Sequence, residues 1–168
     1  GTYEIVSGDT PAALLNQFQV GATKDFTVTF IEGSNFSDMR RVLKSQPHLI
    51  QTINSKSEPE ISAQLAIDRE SLEGLFFPAT YLYSVGSTDM DILKRAHFKL
   101  ERVLNNAWEK RVKGLPFETP YEALIMASII EKETGQVQER SKIAGVLIRR
   151  LQKGMRLQTD PTVIYVID

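Results

Sequence analysis

The stretch Thr119-Pro120-Tyr121-Glu122-Ala123-Leu124-Ile125-Met126-Ala127-Ser128-Ile129-Ile130-Glu131-Lys132-Glu133-Thr134-Gly135 decides how this chain is to be read. Thr119 suits the N-cap, Pro120 the first helical position and Glu122 the far side of a capping box, while Gly135 is a stop signal. A helix from Pro120 to Thr134 is therefore predicted. Projected at about 100° per residue, its apolar side chains leave no wide polar face, so the helix is expected to be packed on nearly all sides. A carboxyl group leaving such a helix in its last turn meets low dielectric and the negative end of the helix dipole, and both favour the protonated form. That is the setting in which a general acid works at neutral pH. Glu131 and Glu133 compete for this role, and periodicity does not choose between them. The plain alternative is that both are solvated last-turn residues. Lys132 and Arg140 would oppose protonation if either came within ~4–6 Å.

Upstream, Thr88 and Asp91 form a second capping box. They open a long helix, Asp89 to Val112, with a core stripe of Ile92, Leu93, Ala96, Leu100, Val103, Leu104 and Ala107. His97 lies within this helix and reads as a surface or packing residue. Before it, Leu72 to Tyr83 is interrupted by Gly74 and Pro78 and carries Phe76, Phe77, Tyr81 and Tyr83, aromatics on irregular backbone of the kind that line clefts. Further upstream come a strand (Thr2 to Val6), a short helix (Thr10 to Phe18), an alternating strand (Asp25 to Ile31) and a helix (Phe36 to Ser45), a small βαβα unit. Gln46 to Pro59 reads as a linker or excursion between lobes, and Glu60 to Glu70 as a short helix. Downstream lie a third long helix, about Val137 to Lys153, and Leu157-Gln158-Thr159-Asp160-Pro161-Thr162. In the latter, Asp160 can cap a Pro-initiated helix or offer hydrogen bonds to sugar hydroxyls. Arg140, Arg149, Arg150, Lys153 and Arg156 make one basic side, which can be a solvated face or can meet an anionic substrate.

Composition narrows the classes. With 168 residues, 42% of them hydrophobic, the chain can bury a sizeable core. A net charge of -1 and a pI near 6.2 argue against a nucleic-acid partner. The absence of cysteine excludes thiol nucleophiles and disulfides, and two histidines, His48 and His97, without ligand spacing argue against a metal centre. No cofactor is expected. No run approaches the ~18 apolar residues of a membrane span.

Met126-Ala-Ser-Ile-Ile-Glu-Lys-Glu-Thr134, Ile148-Arg-Arg-Leu151, Gly154-Met155 and Leu157-Gln-Thr-Asp-Pro-Thr-Val-Ile-Tyr165 closely resemble the MltG (YceG-like) family of endolytic murein transglycosylases. Leu72-Glu-Gly-Leu-Phe-Phe-Pro-Ala-Thr-Tyr81 is similar to that family's aromatic signature, with Ala79 where the pattern has Asp. Tyr3-Glu-Ile-Val-Ser-Gly-Asp-Thr10 resembles the opening of a LysM module. The resemblance implies an α+β fold with a partial LysM-like βαβα lobe (1–45), a transition region (46–71) and a mainly helical YceG-like catalytic region (72–168). It selects Glu131 as the single catalytic acid and base. It also suggests Gln158, Thr159, Asp160, Tyr165, Glu73, Thr80 and Tyr81 for binding substrate.

The implied reaction cleaves the β-1,4 bond between N-acetylmuramic acid and N-acetylglucosamine in peptidoglycan, leaving a 1,6-anhydro end. The implied partners are peptidoglycan strands and cell-wall synthases. The implied location is the cell envelope, on the periplasmic side of the inner membrane. An amino-terminal membrane anchor, and further active-site loops after Asp168, are expected outside these residues. A non-catalytic peptidoglycan-binding or scaffold module and a hydrolytic muramidase are the alternatives.

Overall fold

A computed structural model describes residues 2–21 and 24–160. Among these it contains six helices and one two-stranded antiparallel sheet, the α+β mixture expected. The chain divides into two compact units, residues 1–100 and 101–168.

In the first unit, α1 (Pro11–Val20) is capped by Thr10 and closed by Gly21 in the left-handed conformation. It precedes β1 (Asp25–Thr29), and α2 (Phe36–Lys44) follows, opened by an Asn35–Asp38 capping box. Phe36, Met39 and Leu43, at the spacing of one helical face, are buried. Then come α3 (Glu58–Leu65) and β2 (Thr80–Ser84). β1 pairs with β2 in a register that sets Val28 opposite Tyr81 and Phe26 opposite Tyr83. Phe26 stacks on Tyr83, and the Phe30 ring, just beyond β1, lies 5.6 Å from Tyr81. The Phe30 amide extends the pairing to the Ala79 carbonyl, so position 79 serves the fold through its backbone.

This pairing corrects two expectations. Thr2 to Val6 is not a strand: among the described residues no strand pairs with it, and although Tyr3 rests against Phe18, Ile5 and Val6 are exposed, so extension gains little. The partner of β1 lies beyond residue 45, so residues 1–45 do not close a sheet of their own. The expected linker is also part of the core. Leu49, Ile53 and Ile61 are buried, and Arg40 Nη2 donates to the carbonyls of Ile53 and Lys56 at 3.0 Å each. Polar and proline residues signalled irregular backbone there, which is correct, but irregular backbone can still be packed.

That segment is fastened by one acidic side chain. α4 (Asp89–Glu109) starts at the Thr88–Asp91 capping box, and Asp89 is fully buried. Its carboxylate accepts from the amides of Thr52 (2.9 Å), Ile53 (3.2 Å) and Met90 (2.8 Å), and from the Thr52 hydroxyl. The backbone adds Ile50 N–H to the Ser87 carbonyl and Asp89 N–H to the Ile50 carbonyl. Along α4, Ile92, Leu93, Ala96 and Leu100 are buried as expected, but Val103 and Ala107 are exposed. The core stripe stops at the end of the first unit, a limit that periodicity does not reveal.

The aromatic segment before β2 is core rather than cleft. Phe76 stacks on Phe36 at 5.3 Å and meets His97 edge-on, while His97 Nδ1 lies 2.9 Å from the Leu75 carbonyl. Tyr81 is buried and its hydroxyl donates to the Phe77 carbonyl at 2.6 Å. Burial pushes the Tyr81 phenol up to about 12, with Arg95 pulling weakly the other way. The folded value lies above the ordinary value of 10.0. The stability contributed by the neutral phenol is therefore complete below pH ~10 and is lost as pH rises through ~12. Urea midpoints measured from pH 9 to 12 are expected to fall across that window. Tyr81→Phe is expected to start about 1 kcal/mol less stable and to fall less steeply, Tyr83 supplying the remaining slope. An unchanged slope in the variant would count against this assignment.

Candidate active site

The second unit centres on a helical hairpin. Thr119 caps α5 (Pro120–Glu133) by accepting from the Glu122 amide, and the Glu122 carboxylate accepts from the Glu118 amide at 2.7 Å and the Thr119 amide at 3.4 Å. α5 packs on α6 (Val137–Gln152). Thr134 ties the turn between them: its hydroxyl donates to Glu139 at 2.9 Å and accepts from the Gln136 amide at 3.0 Å. A turn this short sets the last turn of α5 beside the first turn of α6.

Glu131 and Arg140 meet there. Arg140 Nη2 lies 2.9 Å from one carboxylate oxygen of Glu131 and 2.8 Å from the other. The two side chains are 41% and 37% exposed. Among the described residues nothing encloses Glu131 as expected: on α5 only Met126 is buried, and Ile125 is 45% exposed. Apolar residues around a helix show that it can be covered, not that a neighbour covers it. Among the described residues, Glu131 is an ion-paired surface carboxylate. Glu133 is exposed on the same turn.

After α6, Gly154 turns the chain with φ of 67° and Arg150 Nη1 donates to the Leu157 carbonyl, fixing the loop that follows. Gln158 has φ of 52°, left-handed for a residue with a Cβ, and its side chain is exposed. Thr159 is buried and Asp160 is exposed. No hydrogen bond or ion pair joins Glu131 to Gln158 or Asp160 among the described residues. Tyr165 lies outside the described residues.

The remaining candidates belong to the first unit, where each polar group already has a partner within the fold. Glu73 Oε2 accepts from the Phe36 amide at 2.8 Å and so serves the first turn of α2. Thr80 Oγ1 pairs with Thr29 Oγ1 across the strands at 2.9 Å, and the Tyr81 hydroxyl goes to Phe77. Glu73→Ala is thus expected to cost about 1 kcal/mol of stability, the usual effect of removing a helix cap. A urea midpoint equal to wild type would refute that role.

Comparison with known proteins finds relatives of this chain. The model of the YceG-like family matches residues 1–168. A Bacillus subtilis protein named endolytic murein transglycosylase is 29% identical over 182 residues, covering 98% of this chain and 50% of that protein. A protein of the same name from Streptococcus pneumoniae is 33% identical over 98 residues, or 58% of this chain and 17% of its own. The crystal structure of a yceG-like protein from Listeria monocytogenes has the same fold. It gives a TM-score of 0.57 at 24% identity, over 98% of this chain and 60% of that one. The chain thus spans about half the length of the Bacillus subtilis relative.

Proposed function

The chain belongs to the YceG-like family, and on that premise we propose that the protein is an endolytic lytic transglycosylase acting on peptidoglycan with Glu131 as its general acid and base. The observation that carries this is the family match along the whole chain, joined to relatives named for murein transglycosylation. Glu131 in its proton-bearing form donates to the glycosidic oxygen as the bond between N-acetylmuramic acid and N-acetylglucosamine breaks. The carboxylate so formed takes the proton of the muramoyl C6 hydroxyl as that oxygen attacks C1. The products are a new N-acetylglucosamine hydroxyl and a 1,6-anhydro ring, and Glu131 regains its proton.

Ordinary glycosidases use two carboxyl groups because water or a carboxylate must be brought to the sugar. An internal hydroxyl is already held there, so one carboxyl group can serve both steps. In this reading Gln158, Thr159, Asp160 and Tyr165 contact the sugar. The protein acts in the cell envelope, anchored to the inner membrane and working beside cell-wall synthases. Among the described residues, no helix is long and apolar enough to cross a membrane.

Mass spectrometry of glycan strands digested by the protein tests the reaction. Ends lighter by one water than hydrolysed ends are expected. Reducing muramoyl ends alone would make the protein a hydrolase, and binding without new ends would make it a scaffold module.

A further inference from the structure

We propose that Arg140 is a positioning residue shared between two carboxylates: it holds Glu131 in the free protein and passes to a carboxylate carried by the glycan strand when the strand binds. This rests on the role given to Glu131 above and names the substrate feature that would release it.

The geometry of the pair carries the inference. A guanidinium matched to a carboxylate usually engages it with two nitrogens in parallel. Here Nη2 alone meets both oxygens of Glu131, while Nε is buried and has no acceptor among the described residues. A buried donor without an acceptor is unfavourable, and a pair serving only to join two helices gains nothing by keeping one. The donor capacity of Arg140 therefore exceeds what Glu131 uses, in the planar form suited to a second oxoanion.

Position and exposure fit the same role. The Thr134–Glu139 contact ties the turn, so the ends of α5 and α6 can stay together if Arg140 exchanges one carboxylate for another. Both side chains of the pair are more than a third exposed, so a dissolved carboxylate reaches them and the existing contact is weak against water. A proton on the Glu131 carboxyl group turns one of its two oxygens from acceptor into donor. Glu131 must accordingly loosen its two-oxygen contact with Arg140 before it can act as an acid. Muramoyl residues bring carboxylates of their own, on the lactyl group or on the peptide attached to it.

The test uses full-length protein, wild type and Arg140→Ala and Arg140→Lys, with three soluble strands: peptide-bearing, peptide-bearing with the carboxyl groups amidated, and peptide-free with lactyl carboxylates exposed. Wild type is expected to favour a carboxylate-bearing strand over the amidated one by about 10-fold in kcat/KM, the scale of one charge-assisted hydrogen-bonded contact. Arg140→Ala is expected to lose that preference and Arg140→Lys to keep part of it. The better of the two carboxylate-bearing strands identifies which carboxylate is read. In parallel, the Glu131 carboxyl carbon resonance is expected to move on adding carboxylate-bearing strands and to stay put with the amidated one.

Equal rates on all strands for wild type, or a wild-type preference in Arg140→Ala, would overturn the proposal. So would a Glu131 resonance unmoved by a strand that binds. A resonance shift without cleavage would sink the transglycosylase reading and leave the role of Arg140 standing, and cleavage with no change of preference would do the reverse.

Discussion

Glu131→Gln is expected to lower glycan cleavage at least about 100-fold, because general acid and base catalysis contributes that much or more and an amide neither gives nor takes the proton. The substitution preserves shape and keeps one oxygen facing Arg140. The ion pair it weakens is exposed, so stability is expected to stay within about 0.5 kcal/mol of wild type. The combination separates chemistry from folding. Glu133→Gln, two residues on and also exposed, is the control and is expected to be far milder. The measurement is release of anhydro ends per unit time, alongside a urea titration of the same preparations. Activity above about a tenth of wild type in Glu131→Gln would remove Glu131 from the chemistry.

Asp89→Ala is expected to be the most damaging substitution in the first unit, costing roughly 3–5 kcal/mol. Its carboxylate accepts from three backbone amides and one hydroxyl with no exposure to solvent. Alanine would leave those donors buried without an acceptor, each costing roughly 1–3 kcal/mol before the surroundings relax. Asp89→Asn keeps one acceptor oxygen but turns an NH₂ group toward other donors, so an intermediate loss is expected. Chemical denaturation of the three proteins decides the matter. A loss below about 1.5 kcal/mol for Asp89→Ala would mean that water replaces the carboxylate and that the site is less closed than its burial indicates.

These two carboxylates also mark what could be read without coordinates. The helix starts at Thr88 and Thr119 were legible because caps are local chemistry: a hydroxyl, a carboxylate three residues on, and an apolar run behind. The apolar stripe of α4 was legible for the same reason, up to Leu100. Asp89 was not, since nothing local says that its carboxylate will gather amides from residues 52 and 53. Long-range partners are likewise illegible for β1, whose alternation is plain but whose mate is not, and for Leu49 and Ile53, which sit in a segment composed like a linker. At the candidate site, the bounds of the helix carrying Glu131 are legible, and its surroundings are not. Pattern alone does not tell how many sides of an apolar helix its neighbours cover, and the nine-residue step to Arg140 is visible only once α6 folds back.

The union of β1 with β2 has a further consequence during synthesis. Thr29 and Thr80, hydrogen-bonded across the sheet, are separated by 51 positions in the chain. At roughly 5–20 residues added per second, the first strand emerges from the ribosome about 3–10 seconds before its mate exists. Throughout that interval Phe26, Val28 and Phe30 form a nascent, unsheltered β-segment, the kind of edge that recruits other chains. The wait is long compared with the microseconds in which α1 or α2 can form, so helices arise first and the sheet closes only after residue 84 has been translated. A chaperone that shields emerging apolar strands would find its target here between the translation of β1 and that of β2.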